Sequence, residues 1–363
     1  MKVKDVTNYL ESIAPLQLQE DYDNSGLIIG NDDDKVEGAL VCLDVTEEVI
    51  REAISLGCNL IIAHHPLIFS GIRKINTNNY PSSCVVLAIK NNLNIYAIHT
   101  NLDNVPKGVN GKIADLLQLS NRKILLPKQH LTKIAVYVPK DHFSKVSDAM
   151  FDAGAGHIGN YSHCSFSSSG QGTFMPHADA NPHIGQKNQL EKVEEHKLEM
   201  VVPNHLLFKV LNAMTKAHPY EEVAYEIYLL DNVNQDIGSG LYGKLKKPMK
   251  SNDFLRYLKK IMQTKCIRYT NLNKEYIETV SVCGGSGSFL LDDAKRVKAD
   301  IFITADFKYH EFFNAENNII IADIGHYESE QFTKELLNEL LKKKFTKFAT
   351  HLSSINTNPI NYI

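Results

Sequence analysis

The stretch GALVCLDVTEEVIREAISLGCNLIIAHH, residues 38–65, places an amphipathic segment between two apolar ones. The first apolar segment reads as a buried strand, and Thr46 after it is a residue type that caps helix N-termini. The helix that follows ends at Gly57, and a second buried strand leads into two adjacent histidines, His64 and His65. A strand, a helix and a second strand in this order predict a parallel sheet covered by helices.

The same alternation continues on both sides of the chain centre. Apolar segments with strand character recur at four further places, separated by amphipathic segments. These strand candidates are residues 94–101, 276–285, 299–306 and 318–325. A single helix is predicted over residues 327–345, because its acidic first turn and lysine-rich last turn both complement the helix dipole. The predicted fold class of this outer part is α/β, with mostly parallel sheets.

The middle of the chain contains an internal repeat. KIAVYVPKDHFSKVSDAM (133–150) matches KLEMVVPNHLLFKVLNAM (197–214) at an offset of 64 residues, and the matched positions include charged, apolar and proline residues. The identical pairs are Lys133/Lys197, Val138/Val202, Pro139/Pro203, Lys145/Lys209, Val146/Val210, Ala149/Ala213 and Met150/Met214. Each copy reads as a strand, a proline-marked turn and an amphipathic helix, so the repeat indicates tandem β-α-β units.

A second strand candidate follows each copy of the repeat, at residues 163–168 and 223–230. Two β-α-β units in tandem are typical of a ferredoxin-like α+β domain. We therefore predict that residues 128–235 form such a domain, inserted into an outer α/β domain made of residues 1–127 and 236–363.

Composition excludes several classes of protein. The 363 residues suffice for two domains, and 39 basic against 42 acidic residues give a net charge of −3, so no positive field attracts nucleic acid or anionic membrane. The six cysteines form no C-x-x-C pair, which is typical of reduced thiols in a cytoplasmic protein. No run approaches the roughly 18 apolar residues of a membrane-spanning helix. We expect a cytoplasmic protein without membrane or nucleic-acid partners.

Side chains that bind metals follow the strands of the outer domain. In open parallel sheets, ligand sites lie outside the carboxyl ends of the strands, so these residues are expected to share one crevice. In chain order they are His64, His65, His99, Asp103, Asp306, His310, His326 and Glu330. His326 and Glu330 are four residues apart at a helix start and therefore lie on one face of that helix.

This set of imidazoles and carboxylates suits zinc, manganese or iron, and the absence of thiolate pairs argues against a structural zinc finger. Adjacent histidines point in opposing directions, so His64 and His65 are better placed to serve two neighbouring ions than to chelate one. Glu330 can bridge two ions through its two oxygens, and Asp103 can bind one of them. Five protein ligands leave open positions around two ions, which is typical of a reactive site.

Other members of the set have competing interpretations. His99 lies between Ile98 and Thr100 on a predicted buried strand, which favours a hydrogen-bonded core position or a role beside the ligands. Asp306 and His310 either orient histidine ligands or shuttle protons in a reaction. The glycine-rich stretch CGGSGS (283–288) could expose N–H groups to an anion, but a plain tight turn explains it equally well.

Six motifs in this order resemble those of the NIF-three-like family, whose bacterial members are labelled GTP cyclohydrolase I type 2 homologues. The motifs are DNSGLIIG, AHHPLIF, HTNLD, VCGGSGS, TADFKYHE and DIGHYESE, and AHPYEEVAYEIYLL resembles part of the PII/CutA-like insertion of its longer members. The resemblance implies a dinuclear metal centre, often zinc but open to iron, manganese or cobalt. The ligands that it implies are His64, His65, Asp103, His326 and Glu330. It also implies a toroidal homohexamer with the metal sites facing an internal cavity.

Two functions fit these expectations. In the first, two divalent ions per subunit serve a hydrolase that acts on a nucleotide-like substrate, as in a GTP cyclohydrolase, and Asp306 or His310 moves protons. In the second, the protein is a non-catalytic metal or ligand sensor, and the inserted domain regulates access to the cavity. Consumption of a metabolite by the metal-loaded protein distinguishes the two.

Overall fold

The computed structural model describes residues 1–128 and 130–363, which separate into two compact units. The outer unit comprises Met1–Pro127 and Gln235–Ile363, and the inserted unit comprises Lys128–Asn234. Within the part of the chain that the structure describes, no helix is both long enough and apolar enough to cross a membrane.

The first part of the outer unit alternates strands and helices. Its elements are α1 (Val3–Ile13), β1 (Gly26–Ile29), β2 (Ala39–Cys42), α2 (Glu47–Ser55), β3 (Leu60–Ala63), α3 (Tyr80–Lys90), β4 (Asn94–Ala97), α4 (Thr100–Asp103), α5 (Val109–Leu116) and β5 (Ser120–Pro127). As the sequence predicts, Thr46 caps α2, because its side chain accepts a hydrogen bond from the Val49 N–H. Gly57 follows this helix with a φ of 68°, a conformation that favours glycine.

The inserted unit is a four-stranded antiparallel sheet with two helices. Its elements are β6 (His130–Pro139), α6 (Phe143–Asp152), β7 (Phe166–Phe174), β8 (Glu191–Pro203), α7 (Leu207–Ala217) and β9 (Tyr225–Val233). The strands lie in the order β7-β8-β6-β9. The two matched halves of the internal repeat therefore provide the central strands β6 and β8 and the helices that follow them.

The second part of the outer unit contains the remaining elements. They are β10 (Gly238–Lys250), α8 (Ser251–Ile261), β11 (Arg268–Tyr269), β12 (Tyr276–Ser286), α9 (Leu291–Arg296), β13 (Ile301–Ala305), β14 (Ile320–Asp323), α10 (His326–Glu330), α11 (Thr333–Lys344) and β15 (Thr350–Leu352). The prediction of one helix over 327–345 is wrong, because the segment breaks into α10 and α11. Phe332 at the junction is buried in the same core as Leu337 and Leu341, so the apolar pattern continues across the break.

Two sheets form the outer unit. The first has the order β1-β4-β3-β2-β15, and all its neighbours are parallel except β1 and β4. The second has the order β11-β14-β13-β12-β10-β5, and only β12, β13 and β14 are parallel neighbours. The expectation of mostly parallel sheets is therefore wrong for the second sheet. The reason is that β5 leads into the insert and β10 returns from it, so the two strands pair antiparallel, with Pro127 opposite Gly238.

The strands of the first sheet are buried on both faces. In β3, Leu60 and Ile62 pack in one hydrophobic cluster, and Ile61 and Ala63 pack in another. This double burial explains why the strand is continuously apolar instead of alternating. Since β2, β3 and β4 are parallel, their carboxyl ends meet at one edge, and the polar residues that follow them are brought together there.

Candidate metal centre

His64 and His65 leave the end of β3 with their rings held from opposite sides. The Nδ1 atom of His64 lies 2.8 Å from the Ile98 carbonyl oxygen, and Nδ1 of His65 lies 2.7 Å from Asp44 Oδ1. Because a carbonyl only accepts, His64 Nδ1 carries the proton and its Nε2 has a free lone pair. The ring centroids of His64 and His65 are 4.9 Å apart, so their Nε2 atoms could bind two neighbouring ions.

Glu330 lies at the centre of the cluster. Its Oε2 atom lies 3.0 Å from His65 Nε2 and 3.1 Å from His326 Nε2, as expected for residues 326 and 330 on one helical face. Its other oxygen, Oε1, lies 3.9 Å from His64 Nε2. The two oxygens of one buried carboxylate therefore face two different groups of side chains.

Asp103 completes the second group. Its Oδ1 atom lies 3.8 Å from His64 Nε2, a separation too long for a hydrogen bond. Both atoms are buried and have no hydrogen-bond partner among the described residues, although buried polar atoms nearly always have one. With metal–ligand bonds of about 2.0 to 2.2 Å, two ligands of one ion lie at most about 4.4 Å apart. The positions and chemistry of these two atoms thus fit a shared cation.

Among the described residues, two sets of three side chains bring their ligand atoms within 4.8 Å of one another. One set is His65, His326 and Glu330, and the other is His64, His65 and His99. His99 is hydrogen-bonded, as one of its interpretations predicts, since its Nδ1 lies 2.7 Å from Asp23 Oδ1. Its ring centroid is 5.3 Å from those of both His64 and His65, so it borders the cluster.

The electrostatics of the cluster favour positive charge. Burial opposes the charged form of His65, but its bonds to Asp44 and Glu330 outweigh burial and raise its pKa to about 10. The same balance, with Glu330 and Asp306 as partners, raises the pKa of His326 to about 11. Burial alone would raise the pKa of Glu330, but the surrounding imidazoles, His326 foremost, hold it well below its usual range.

The pKa of Asp103 is shifted in the opposite direction from that of Glu330. Burial and the nearby charge of Glu330 raise the pKa of Asp103 to about 7. Two carboxylates in a buried space repel each other, and no imidazole of the cluster is within hydrogen-bond distance of Asp103 Oδ1. A divalent cation bound by both carboxylates would offset this repulsion.

The glycine-rich stretch 283–288 packs against Glu330. Gly285 has a φ of 63°, and a Cβ atom there would lie 2.4 Å from Glu330 Oε1 and 3.3 Å from His326 Cε1. The N–H of Gly285 donates to Ser329 Oγ at 2.9 Å, so this N–H is occupied within the protein. A close approach of the backbone to the cluster explains this glycine, and the turn interpretation is favoured over an anion-binding loop.

Of the two residues predicted to assist, the structure brings only Asp306 to the cluster. Asp306 Oδ2 lies 2.7 Å from His326 Nδ1. The backbone of Asp306 is left-handed, with a φ of 59°, which is uncommon for a residue other than glycine. His310 is exposed, and its ring contacts Tyr309 and Phe313, with no cluster residue among its contacts in the described part of the chain.

Two carboxylates that orient histidines were not predicted. Asp44 holds His65, and Asp23 holds His99. Asp44 follows β2 at the same sheet edge as the other candidates, so the strand-end rule that selected Asp103 would also have selected it. Asp23 is the first residue of the DNSGLIIG motif, in the loop before β1, but the motif alone does not indicate that Asp23 contacts His99.

Known proteins resemble the whole chain. The family model described as DUF34/NIF3 (NGG1p interacting factor 3) matches residues 1–359. A Halalkalibacterium halodurans protein called GTP cyclohydrolase 1 type 2 homolog is 40% identical over 364 residues, covering 99% of this chain and 98% of the relative. A Staphylococcus epidermidis protein of the same name is 37% identical over 368 residues, covering 100% of both. The crystal structure of a Bacillus cereus protein related to NIF3 has a TM-score of 0.86 at 39% identity and covers 100% of this chain and 99% of that one. These matches confirm the family that the six motifs predicted, and the chain belongs to the DUF34/NIF3 family.

Proposed function

We propose that this protein binds two divalent metal ions and is a metal-dependent hydrolase of a nucleotide-like substrate. The observation that carries the proposal is the position of Glu330 between two groups of ligands. Its Oε1 faces His64 and its Oε2 faces His65 and His326. A carboxylate with this arrangement is suited to bridge two ions.

The residues that would hold the ions divide between the two oxygens of Glu330. His64 and Asp103 would share one ion with Oε1, and His65 and His326 would share the other with Oε2. This donor set of nitrogen and oxygen suits zinc first, and iron, manganese or cobalt also accept it. When bound, two such ions lower the pKa of water and polarise a substrate oxygen.

The protein's own residues hold the ligands in place. Asp44 and Asp306 each fix Nδ1 of a histidine and so direct its Nε2 inward. We assign Asp306 to this positioning role rather than to a proton shuttle, because its carboxylate is already engaged with His326. His99, held by Asp23, lies beside the cluster and is placed to hydrogen-bond a substrate there.

The substrate class is proposed from the relatives. Proteins of similar length and 37 to 40% identity are called GTP cyclohydrolase 1 type 2 homologs. Hydrolytic opening of a purine ring or cleavage of a phosphoester both suit a two-ion site. We therefore place the substrate among nucleotides and related compounds.

Further proposals concern assembly and the insert. The element order of the inserted unit and its strand order β7-β8-β6-β9 support a ferredoxin-like domain of the PII/CutA-like type.

We propose a toroidal homohexamer with the metal centres facing its cavity, as in the family that the motifs resemble. A cytoplasmic location is supported by the six cysteines, none of which forms a disulfide bond.

Elemental analysis and a metabolite-consumption screen on the same protein preparation test the proposal. We expect two divalent ions per chain and the loss of at least one nucleotide-like compound from the mixture. His65→Ala should lower the metal content and abolish the consumption, whereas Glu339→Ala, at an exposed position, should leave both unchanged. A protein that binds no divalent ion, or that turns over its substrate equally well without metal, contradicts the proposal.

A non-catalytic sensor of metals or ligands is the second candidate. The inserted unit has its own hydrophobic cluster and its own cavity, both composed of residues within that unit, and this favours a ligand-responsive domain. If the metal-loaded protein binds nucleotides and gains thermal stability but consumes nothing, the sensor function replaces the hydrolase.

A further inference from the structure

We propose that the inserted unit binds a small organic cation, an amine or a guanidinium compound, through the carboxylate of Glu195. The structure contains a cavity of about 820 Å³ whose lining lies wholly between residues 137 and 224. This volume is in the range of pockets that bury small molecules. The cavity shares no lining residue with the candidate metal centre, and the proposal does not depend on hydrolase activity.

The sheet of the inserted unit turns Glu195 away from the helices. In β8, Leu198 and Met200 pack in the cluster formed with α6 and α7, and successive strand residues alternate between faces. Glu195 therefore lies on the opposite face. A Cβ atom at Gly172 would lie 2.1 Å from Glu195 Oε2, so only glycine allows the carboxylate to lie across β7. The segment after β7 forms another wall of the cavity.

Glu195 has no lysine or arginine partner in the part of the chain that the structure describes. Its exposed fraction is 9%, and Oε1 accepts a hydrogen bond from the Tyr220 hydroxyl at 3.0 Å. Oε2 has no hydrogen-bond or ion-pair partner among the described residues, and the described lining contains neither lysine nor arginine. Oε2 keeps some solvent exposure, so a cationic ligand that reaches it would gain a charge-assisted hydrogen bond.

Aromatic rings border the same carboxylate. The ring centroid of Tyr220 lies 5.8 Å from that of Phe174 and 6.4 Å from that of His183. His218 fixes the Tyr220 segment, because its Nδ1 accepts from the Tyr220 N–H at 3.1 Å and its Nε2 donates to the Tyr137 carbonyl at 3.0 Å. A cation beside Glu195 would therefore also meet aromatic faces, which attract positive charge.

Anionic ligands and metal ions fit this cavity less well. Asp179, Glu221 and Glu222 add three acidic side chains to the lining, and they would repel a phosphate group. Within the described part of the insert, no three histidine, cysteine or acidic side chains converge closely enough to hold an ion. The charge of the lining thus points to an organic cation.

Calorimetric titration of the full-length, metal-loaded protein with agmatine and with butylamine tests the proposal. We expect saturable binding of at least one of them at one site per chain. Glu195→Gln should weaken it by about tenfold or more, as expected for loss of a charge-assisted hydrogen bond. Glu199→Gln is the matched control, because Glu199 lies on the same strand and face as Glu195 but outside the cavity. This variant should bind the amines as tightly as the wild type does.

A second variant covers the case in which Glu195→Gln does not fold. Phe174→Leu keeps an apolar side chain but removes an aromatic face, and it should weaken agmatine binding several-fold while the metal content stays unchanged. Three outcomes overturn the proposal: wild-type protein that binds neither amine, variants at both positions that bind as tightly as wild type, or a cavity that takes ATP or Zn²⁺ alone in preference to both amines. Loss of metal has no effect on the expected result.

Discussion

The carboxylate of Glu330 lies 3.0 Å from the imidazole of His65, although 265 residues separate the two in the chain. His65 follows β3 of the first sheet. Glu330 belongs to α10, which follows β14 of the second sheet. The two parts of the outer unit therefore each contribute half of the candidate metal centre. The cluster exists only when both sheets have formed and packed together.

We predict that Glu330→Gln removes both metal ions. The substituted amide keeps the size of the side chain but loses the negative charge and one of the two oxygens that face the histidines. We expect metal affinity to fall by roughly 100-fold or more, since even residues that only support ligands typically contribute 10- to 100-fold. Elemental analysis after dialysis against a chelator measures this. Glu339→Gln, at an exposed position, is the control, and retention of two ions by Glu330→Gln would falsify the bridging role.

We predict that Asp44→Asn weakens metal binding without unfolding the protein. Asp44 Oδ1 holds Nδ1 of His65 at 2.7 Å, and its other oxygen accepts from the Thr357 hydroxyl. The amide can still accept a hydrogen bond but lacks the charge that makes His65 a stronger ligand. Competition with a chromophoric chelator should show a loss of roughly 10-fold in affinity. An affinity equal to that of the wild type, with lower thermal stability, would assign Asp44 to the fold alone.

We predict that metal binding releases protons and tightens as pH rises. In the metal-free protein the pKa of His65 is raised to about 10 and that of His326 to about 11, so both imidazoles carry protons at pH 8. An ion needs their Nε2 lone pairs and must displace those protons. Affinity should therefore increase between pH 6.5 and 9 instead of levelling off near pH 7. Calorimetry in two buffers of different ionisation enthalpy counts the released protons, and a count of zero at pH 8 contradicts the prediction.

The positions of the candidate ligands could be predicted from the sequence, because the ends of buried strands can be recognised in it. Apolar segments such as Leu60–Ala63 mark buried strands, and parallel strands bring the residues after them to one edge. The partners of those ligands were harder to predict, since a hydrogen bond such as Asp23 to His99 depends on loop conformation. The antiparallel half of the second sheet was missed for another reason. Neither β5 nor β10 was among the predicted strands, since β5 begins with polar residues and glycines and lysines interrupt the apolar pattern of β10.

We predict that Gly285→Ala lowers both stability and metal content, whereas Gly57→Ala lowers stability alone. Both glycines have left-handed backbones, with φ of 63° and 68°, so alanine at either position should cost about 1–2 kcal/mol of unfolding free energy. At Gly57 a Cβ atom meets nothing within 4 Å, but at Gly285 it would lie 2.4 Å from Glu330 Oε1 and must displace it. Chemical denaturation measures the shared loss of stability, and elemental analysis measures the loss of metal specific to Gly285→Ala. If the two variants retain equal amounts of metal, the close approach of this loop does not position Glu330.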